Sequence, residues 1–171
     1  TGDGGDEVLS GYSSYQGVKF SQKYQQLPGA IQEILPKGVE AFKSLTKGGV
    51  RYKLNRYSHL LKTASKDFDY RLLDKRAKPN LDSIKGIINP DIKTWPAKEF
   101  INDFLEKSPY KDDFYKQMYL NYKFDLPNDY LVKVDRMSMA HSLETRLPFL
   151  DHRLIEFMAG VDKKVKMQGW E

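Results

Sequence analysis

The sequence predicts a mainly α-helical protein with few or no strands. Apolar residues recur at three- and four-residue spacing in most segments between the prolines and glycines. The Val/Ile-rich alternation that is typical of strands is not found. The 171 residues, 40% of them hydrophobic and 30% charged, are enough for one domain with a core.

The first predicted helix runs from about residue 5 to 26, begins with an acidic turn and ends before Pro28. Two short helices are predicted next, over 29–35 and 36–46. Pro36 would then lie in the first turn of the second one, where proline is tolerated.

The middle of the chain predicts one long helix and then irregular structure. Residues 48–65, GGVRYKLNRYSHLLKTAS, carry apolar side chains near helical spacing. Residues 66–96 contain three prolines and several turn dipeptides, which predict loops mixed with short helix.

The last third predicts four more helices. Two are amphipathic, AKEFINDFLEK over 97–107 and YKDDFYKQMYLNYKF over 110–124. The third begins at Pro127, with Asn128 or Asp129 as its N-cap. The fourth is DHRLIEFMAGV, which follows Pro148 and has Asp151 as its N-cap.

Composition excludes several classes of protein. Without cysteine there are no disulfides or thiolate metal ligands, and the three histidines lack zinc-site spacing. This is compatible with the reducing cytoplasm, where we expect the protein. No apolar run approaches the roughly 20 residues of a membrane span, so no membrane partner is expected. The net charge of +5 is mild and the lysines are scattered along the chain, so charge alone gives little support for a nucleic-acid partner. Phosphate-bearing small ligands would suit the same charge.

The opening loop, TGDGGDEVLSGY, combines glycines with Asp3, Asp6 and Glu7. Glycines let backbone N–H groups converge on phosphates, and a carboxylate such as Asp6 can hold Mg²⁺. The alternative is structural, with Asp3 as a plain N-cap and the other two carboxylates favouring the helix dipole. The loop is neither a calcium EF-hand, since the twelfth position from Asp3 is Ser14, nor a Walker A sequence.

A second segment, YLVKVDRMSMAHSLETRLPFLD, places Lys133 and Arg136 on one helical face with Asp129. The plain interpretation is an amphipathic helix with surface ion pairs, followed by a Glu144–Arg146 pair that fixes the turn.

Two further predictions concern the packing of aromatic side chains. His141 is predicted to be packed rather than catalytic, and five tyrosines are predicted to be half-buried: Tyr52, Tyr57, Tyr70, Tyr115 and Tyr119.

Together these two segments resemble the synthetase domain of the glutamine-hydrolysing asparagine synthetases. TGDGGDEVLSGY is similar to the family's acidic loop, Ser/Thr-Gly-Asp/Glu-Gly-Gly/Ser-Asp-Glu followed by Gly-Tyr. YLVKVDRMSMAHSLETRLPFLDHRLIEF is similar to its Leu-x-Lys-x-Asp-Arg, Met-Ala and Ser-Leu-Glu-x-Arg-x-Pro-Phe-Leu-Asp segment. The resemblance spans nearly the whole chain, although residues 28–110 carry it weakly.

The resemblance implies a fold and a place within a longer enzyme. We expect the helical C-terminal portion of an α/β adenine-nucleotide α-hydrolase-like (PP-loop ATPase) domain, with residues 1–171 forming a single partial domain. The glutaminase with its cysteine nucleophile, the Ser-Gly-Gly-x-Asp-Ser pyrophosphate loop and the later Arg-x-Lys-x-Gly-Phe stretch are not in this sequence. The chain is therefore expected to be an internal fragment.

The resemblance also implies an activity and a set of site residues. The family activates aspartate with ATP and Mg²⁺ to β-aspartyl-AMP, and ammonia from a glutaminase domain then displaces AMP. Asp3 matches the acidic position beside the acyl-adenylate, and Asp6 matches the Mg²⁺ ligand. The matching cofactor-binding and site-proximal residues are Gly2, Gly4, Gly5, Lys133 and Arg136.

Two other functions stay open at this level. One is a related amide-forming or cyclising ligase with a different acyl substrate. The other is a basic helical module that binds nucleic acid or protein, supported by the +5 charge and the 11 tyrosines. A binding affinity for duplex that falls steeply with salt would favour the second.

Overall fold

The structure is a computed structural model that describes residues 1–76 and 97–167, with Lys53 and Arg56 described by their backbone alone. It is mainly helical, as predicted, and no strand occurs within these ranges. Along the chain the helices are α1 (Gly5–Leu9), α2 (Ser13–Tyr24), α3 (Gly29–Ser44), α4 (Gly48–Ala64), α5 (Phe68–Arg76), α6 (Ala97–Glu106), α7 (Asp113–Leu120), π-helical turns (Asn121–Tyr130), α8 (Leu131–Met139), a 3₁₀ turn (Pro148–Leu150), α9 (His152–Gly160) and α10 (Lys163–Lys166). In the part of the chain described, no helix is long and apolar enough to span a bilayer.

The chain divides into two compact units. Unit 1 combines Thr1–Gln16 with Phe104–Glu171, and unit 2 is Gly17–Asp103. Both sequence motifs lie in unit 1, so the candidate site belongs to that unit.

Unit 1 is built around aromatic and aliphatic side chains from α2, α7 and the π-helical turns. Tyr15 and Phe114 are buried, with ring centroids 5.3 Å apart. The Tyr15 hydroxyl accepts a hydrogen bond from the buried Asn121 amide at 3.0 Å. Because the only polar atom of the Tyr15 side chain thus has a partner, a large ring can be buried without the desolvation penalty of an unpaired hydroxyl.

The prediction that a helix begins at Pro127 is wrong, because helical structure continues from Asp113 to Met139. Pro127 lies inside the π-helical turns, and neither Asn128 nor Asp129 is an N-cap. The Asn128 side-chain amide instead donates to the Phe124 carbonyl at 2.8 Å. Proline removes a backbone donor and crowds the preceding turn, and the wider π-helical turn lets the helix continue past it.

The prediction of two short helices over 29–46 is also wrong, since α3 is one helix with Pro36 in its interior. Proline has no N–H to offer the carbonyl four residues earlier, which belongs to Gln32. That carbonyl accepts a hydrogen bond from the Tyr24 hydroxyl at 2.7 Å. A contact from outside the helix therefore replaces the bond that Pro36 removes.

In unit 2, helices α3 and α4 pack against each other and are joined by a charged cluster around Glu40. The Glu40 carboxylate contacts the Lys43 ammonium on its own helix. From α4 it accepts the Ser58 hydroxyl at 2.6 Å and lies 3.5 Å from Lys62. The hydrogen bond from Lys43, followed by that from Ser58, lowers the pKa of Glu40 to about 2.

Several other predicted elements are found with small changes. The helix over 48–65 is confirmed as α4, and that over 97–107 as α6. The mixed stretch over 66–96 contains α5, and its remainder, 77–96, lies outside the described residues. The Asp151 cap of α9 is confirmed, since its carboxylate accepts the Arg153 backbone N–H at 2.9 Å.

Candidate functional site

The site begins with a tight turn over Gly2–Gly5. The Gly5 N–H donates to the Gly2 carbonyl at 3.2 Å, and Gly4 has φ +88° and ψ −14°. Asp3 is not among the residues with positive φ, so this is a type II turn with glycine at the position that requires it. Asp3 therefore occupies the corner of the turn, where its side chain is half-buried.

Asp3 is not the N-cap of α1, so the structural alternative for this residue is wrong. The N-cap residue is Gly4, and no side chain accepts a hydrogen bond there. The first turn of α1 does contain Asp6 and Glu7, as that interpretation expected. A role for the Asp3 carboxylate must come from something other than capping this helix.

The two carboxylates in the first turn of α1 face different surroundings. Successive helix positions are rotated by about 100°, and Asp6 is exposed while Glu7 is only 3% exposed. The Tyr12 hydroxyl donates to Glu7 Oε1 at 2.5 Å. Burial and then the neighbouring Glu7 carboxyl raise the pKa of Tyr12 well above its usual range, which keeps the hydroxyl a donor. Glu7 is thus held inside the unit, and Asp6 is presented to solvent.

The chain leaves α1 abruptly, so the single helix predicted over 5–26 is interrupted. Ser10 has φ +66°, in the left-handed region that non-glycine residues seldom adopt. The N–H groups of Ser10 and Gly11 both donate to the Asp6 carbonyl, the second at 3.1 Å. This turn sends the chain back past α1, so that Tyr12 reaches Glu7.

The structure brings the opening loop against the end of the second motif, more than 140 residues later in the chain. Phe149 ring carbons lie 3.6–3.7 Å from where a Cβ would stand on Gly5. On Gly4 a Cβ would collide with the Leu150 side chain. The Thr1 nitrogen donates to the Arg146 carbonyl at 2.8 Å. Glycine at position 4 is therefore required both for close packing against the 3₁₀ turn and for the type II turn, whereas a Cβ on Gly5 would make an ordinary van der Waals contact with Phe149.

Lys133 and Arg136 lie on α8, and both are exposed. The surface ion pair predicted for this face is present, since Lys133 Nζ is 2.5 Å from Asp129 Oδ1. The same ammonium lies 5.7 Å from the centre of the Tyr130 ring. Asp129 therefore offsets part of the positive charge that Lys133 places on this face of α8.

The turn after α8 contains the predicted ion pair but not a packed histidine. Arg146 Nη2 lies 2.7 Å from Glu144 Oε1, and both side chains are largely exposed. His141 is exposed, so the prediction that it packs is wrong.

The five tyrosines predicted to be half-buried divide into two groups. Tyr115 and Tyr119 are half-buried, whereas three are exposed: Tyr52, Tyr57 and Tyr70.

The donors in the opening loop fit a Mg²⁺ ion that arrives with a nucleotide. In residues 1–76 and 97–167, no three His, Asp or Glu side chains are grouped to hold a metal by themselves. Mg²⁺ in nucleotide sites commonly takes one or two protein carboxylates and fills its other positions with water and phosphate oxygens. The exposed carboxylate of Asp6 is a donor of that kind.

Sequence reasoning did not assign a role to Tyr12, Phe149 or Leu150. Each was visible as part of a motif, Tyr12 in the Gly-Tyr pair and the other two in Pro-Phe-Leu-Asp. Their roles depend on contacts with Glu7, Gly5 and Gly4, which no local spacing rule predicts.

Comparison with known proteins gives one family. A family model described as asparagine synthase matches residues 1–171. Asparagine synthetase [glutamine-hydrolyzing] 1 of Bacillus subtilis is 29% identical over 97% of this chain and 25% of its own length. A putative asparagine synthetase [glutamine-hydrolyzing] of Mycobacterium bovis is 25% identical over 88% of this chain and 22% of its own length. Asparagine synthetase [glutamine-hydrolyzing] 3 of Bacillus subtilis is 47% identical over 29% of this chain and 8% of its own length. The chain thus spans about a quarter or less of these relatives, and no solved structure matches it significantly.

Proposed function

The chain belongs to the asparagine synthase family, and we propose that it forms part of an ATP-dependent ligase that converts aspartate to asparagine with glutamine-derived ammonia. Residues 1–171 would be a single partial domain of that enzyme, located in the cytoplasm. The observation that carries the proposal is the packing of Gly4 and Gly5 against Leu150 and Phe149. It joins the two motifs on which the family resemblance rests into one structural unit.

The opening turn is proposed to bind the nucleotide. Gly2 is exposed and carries no side chain that would shield its N–H group, Gly4 adopts a conformation that glycine favours, and the Gly5 N–H holds the turn by donating to the Gly2 carbonyl. Backbone N–H groups in such turns form concave sites for anions. In this proposal the exposed backbone of the turn, beginning with the Gly2 N–H, contacts phosphate oxygens of ATP as the aspartate carboxylate attacks the α-phosphorus and pyrophosphate leaves.

Asp6 is proposed to hold the metal ion. Its carboxylate is exposed at the start of α1, whereas the neighbouring Glu7 is buried and bonded to Tyr12. Mg²⁺, when bound, offsets the negative charge of the nucleotide phosphates. The protein contributes an oriented carboxylate, and the turn after α1 fixes the backbone of that residue through two hydrogen bonds.

Asp3 is proposed to act on the incoming ammonia. It stands at the corner of the glycine turn and does not cap α1. Ammonia attacks the acyl carbon of the aspartyl adenylate, AMP leaves, and the nitrogen must lose a proton to become a neutral amide. A carboxylate beside the nitrogen orients it and accepts that proton.

Lys133 and Arg136 are proposed to lie near the bound nucleotide and to contribute positive potential there. Support comes from their place in the second motif and from their exposure on α8. Lys133 also pairs with Asp129. Because its proposed role is to attract the nucleotide, Lys133→Ala should raise the Michaelis constant for ATP more than it lowers the rate of amide formation.

The test is an assay of the intact enzyme that contains this chain. Aspartate, Mg²⁺·ATP and either glutamine or ammonium are supplied, and pyrophosphate, AMP and asparagine are measured. Formation of all three only when aspartate is present supports the proposal. Pyrophosphate release with another carboxylic acid, such as glutamate, in place of aspartate would instead identify a related ligase with a different acyl substrate.

The role of Asp3 is tested by Asp3→Ala in the same enzyme. Loss of a general base typically lowers the rate on the order of a hundredfold or more. Glu33→Ala is the matched control, because Glu33 is an exposed carboxylate on α3 and outside the site. Near-normal asparagine formation by Asp3→Ala would refute the assignment.

A further inference from the structure

Gly11 lies directly against the carboxylate of Asp6. A Cβ placed on Gly11 would collide with Asp6 Oδ1 and would stand 3.1 Å from Asp6 Cγ. The backbone of Gly11 is not in the left-handed region, which in this turn is occupied by Ser10. Glycine at position 11 is therefore required by the space that the Asp6 side chain occupies, and not by its own backbone conformation.

The backbone around this contact is held on several sides. The N–H groups of Ser10 and Gly11 share the Asp6 carbonyl. Ser10 Oγ lies 3.6 Å from the Met118 sulfur, and Tyr12 donates to Glu7. The exposed side chain of Asp6 is consequently the part of this turn that can most easily move.

We propose that Gly11 is a positioning residue, whose missing side chain leaves the space in which the Asp6 carboxylate rests while it is presented to a metal–nucleotide complex. The inference rests on the proposed function for the metal role of Asp6, but the steric relation between the two residues stands on geometry alone. In chemical terms, the missing side chain at Gly11 determines the orientation of the Asp6 carboxylate, the proposed metal ligand five positions earlier.

The proposal predicts that Gly11→Ala changes ligand binding more than stability. The nearest atoms that the new methyl group meets belong to the end of an exposed side chain, which can rotate away. The third neighbour, Asp6 Cα at 3.5 Å, is at an ordinary contact distance. Gly17→Ala is the matched control, because no atom lies within 4 Å of a Cβ at that position.

The first experiment measures pyrophosphate release by the intact enzyme as a function of Mg²⁺ concentration. Changes to residues that orient a metal ligand typically weaken metal affinity by about 10- to 100-fold. We expect Gly11→Ala to raise the half-saturating Mg²⁺ concentration about tenfold, with Gly17→Ala unchanged. Asp6→Asn should raise it as well, and adding Gly11→Ala to Asp6→Asn should have less effect than it has alone, since the two residues act through one group.

The outcomes separate the two proposals. An Asp6→Asn enzyme with normal Mg²⁺ dependence refutes the metal role of Asp6 in the proposed function. An Asp6→Asn enzyme with altered dependence, together with a normal Gly11→Ala enzyme, refutes the positioning role and leaves the proposed function standing.

A second readout does not need turnover. Crystal structures of the intact protein and its Gly11→Ala variant should differ in the position of the Asp6 carboxylate, and Mn²⁺ binding with α,β-methylene-ATP should be weaker in the variant. An unmoved carboxylate would overturn the inference whether or not the enzyme is active.

A third experiment applies if the Gly11→Ala variant is unstable. Replacing Asp6 by alanine in that background should then restore the melting temperature, because the clash with the new methyl group is removed. Failure to restore the melting temperature would also overturn the inference.

Discussion

Replacement of Gly4 by alanine should destabilise unit 1 for two separable reasons. Gly4 has φ +88°, and an L-residue in the left-handed region is disfavoured by roughly 1–2 kcal/mol. The new Cβ would stand 2.8 Å from Leu150 Cγ and closer still to Cδ2, and overpacking of this kind typically costs about 1–3 kcal/mol. Alanine also restricts the unfolded chain, which offsets about 0.4–1 kcal/mol.

These contributions give a loss of about 3 kcal/mol in the free energy of unfolding for Gly4→Ala. At roughly 2–4 °C per kcal/mol for a chain of this size, the melting temperature should fall by about 6–12 °C. Urea and thermal denaturation, followed by far-ultraviolet circular dichroism, measure both quantities. Gly2→Ala is the control, because Gly2 has neither positive φ nor an atom within 4 Å of its Cβ position.

The steric part of this argument is tested by a double-mutant cycle with Leu150→Ala. Removing the Leu150 branch should make Gly4→Ala less destabilising by about 1–3 kcal/mol, the contribution assigned to overpacking. A Gly4→Ala protein as stable as Gly2→Ala would refute the whole account. An unchanged effect in the Leu150→Ala background would refute the contact while leaving the backbone argument intact.

Three further predictions concern other parts of the chain. Tyr12→Phe should destabilise the protein by about 1–3 kcal/mol in urea denaturation, because the buried Glu7 carboxyl loses its donor; an unchanged midpoint would contradict this. The lowered pKa of Glu40 means that its stabilisation is present above about pH 4.5 and is lost as the pH falls toward 2, so the difference in urea midpoint between wild type and Glu40→Gln should shrink over that window. The 171-residue chain alone should release no pyrophosphate from ATP with aspartate and ammonium, because the pyrophosphate loop and later lysine implied by the family resemblance are not part of it; clear product would overturn this.

The sequence by itself determined the helical class and several of its elements. Periodic apolar residues predicted α4 and α6 with nearly the observed bounds. Asp151 was identified as a cap because a side-chain acceptor at a helix start binds a backbone N–H two residues later. These properties are local, since they depend on side chains within one or two turns of each other.

Helix ends near proline and serine were decided by tertiary structure. Pro36 remains inside α3 because the Tyr24 hydroxyl binds the Gln32 carbonyl that proline leaves without a donor. Ser10 ends α1 in a left-handed conformation, a state that its side chain alone does not favour. In both cases the local preference is opposed by side-chain contacts, from Tyr24 to Gln32 and from Ser10 to Met118, that residue propensities do not predict.

The candidate site shows the same division. Its acidic residues and glycines could be named from the sequence, because residue type alone limits which groups can hold a metal or expose backbone N–H groups. The different environments of Asp6 and Glu7, and the fit of Gly4 and Gly11 against Leu150 and Asp6, required the folded chain. The physical reason is that burial and close packing depend on which side chains fill the neighbouring space, and for Gly4 that side chain comes from a residue 146 positions later, which only the tertiary structure brings there.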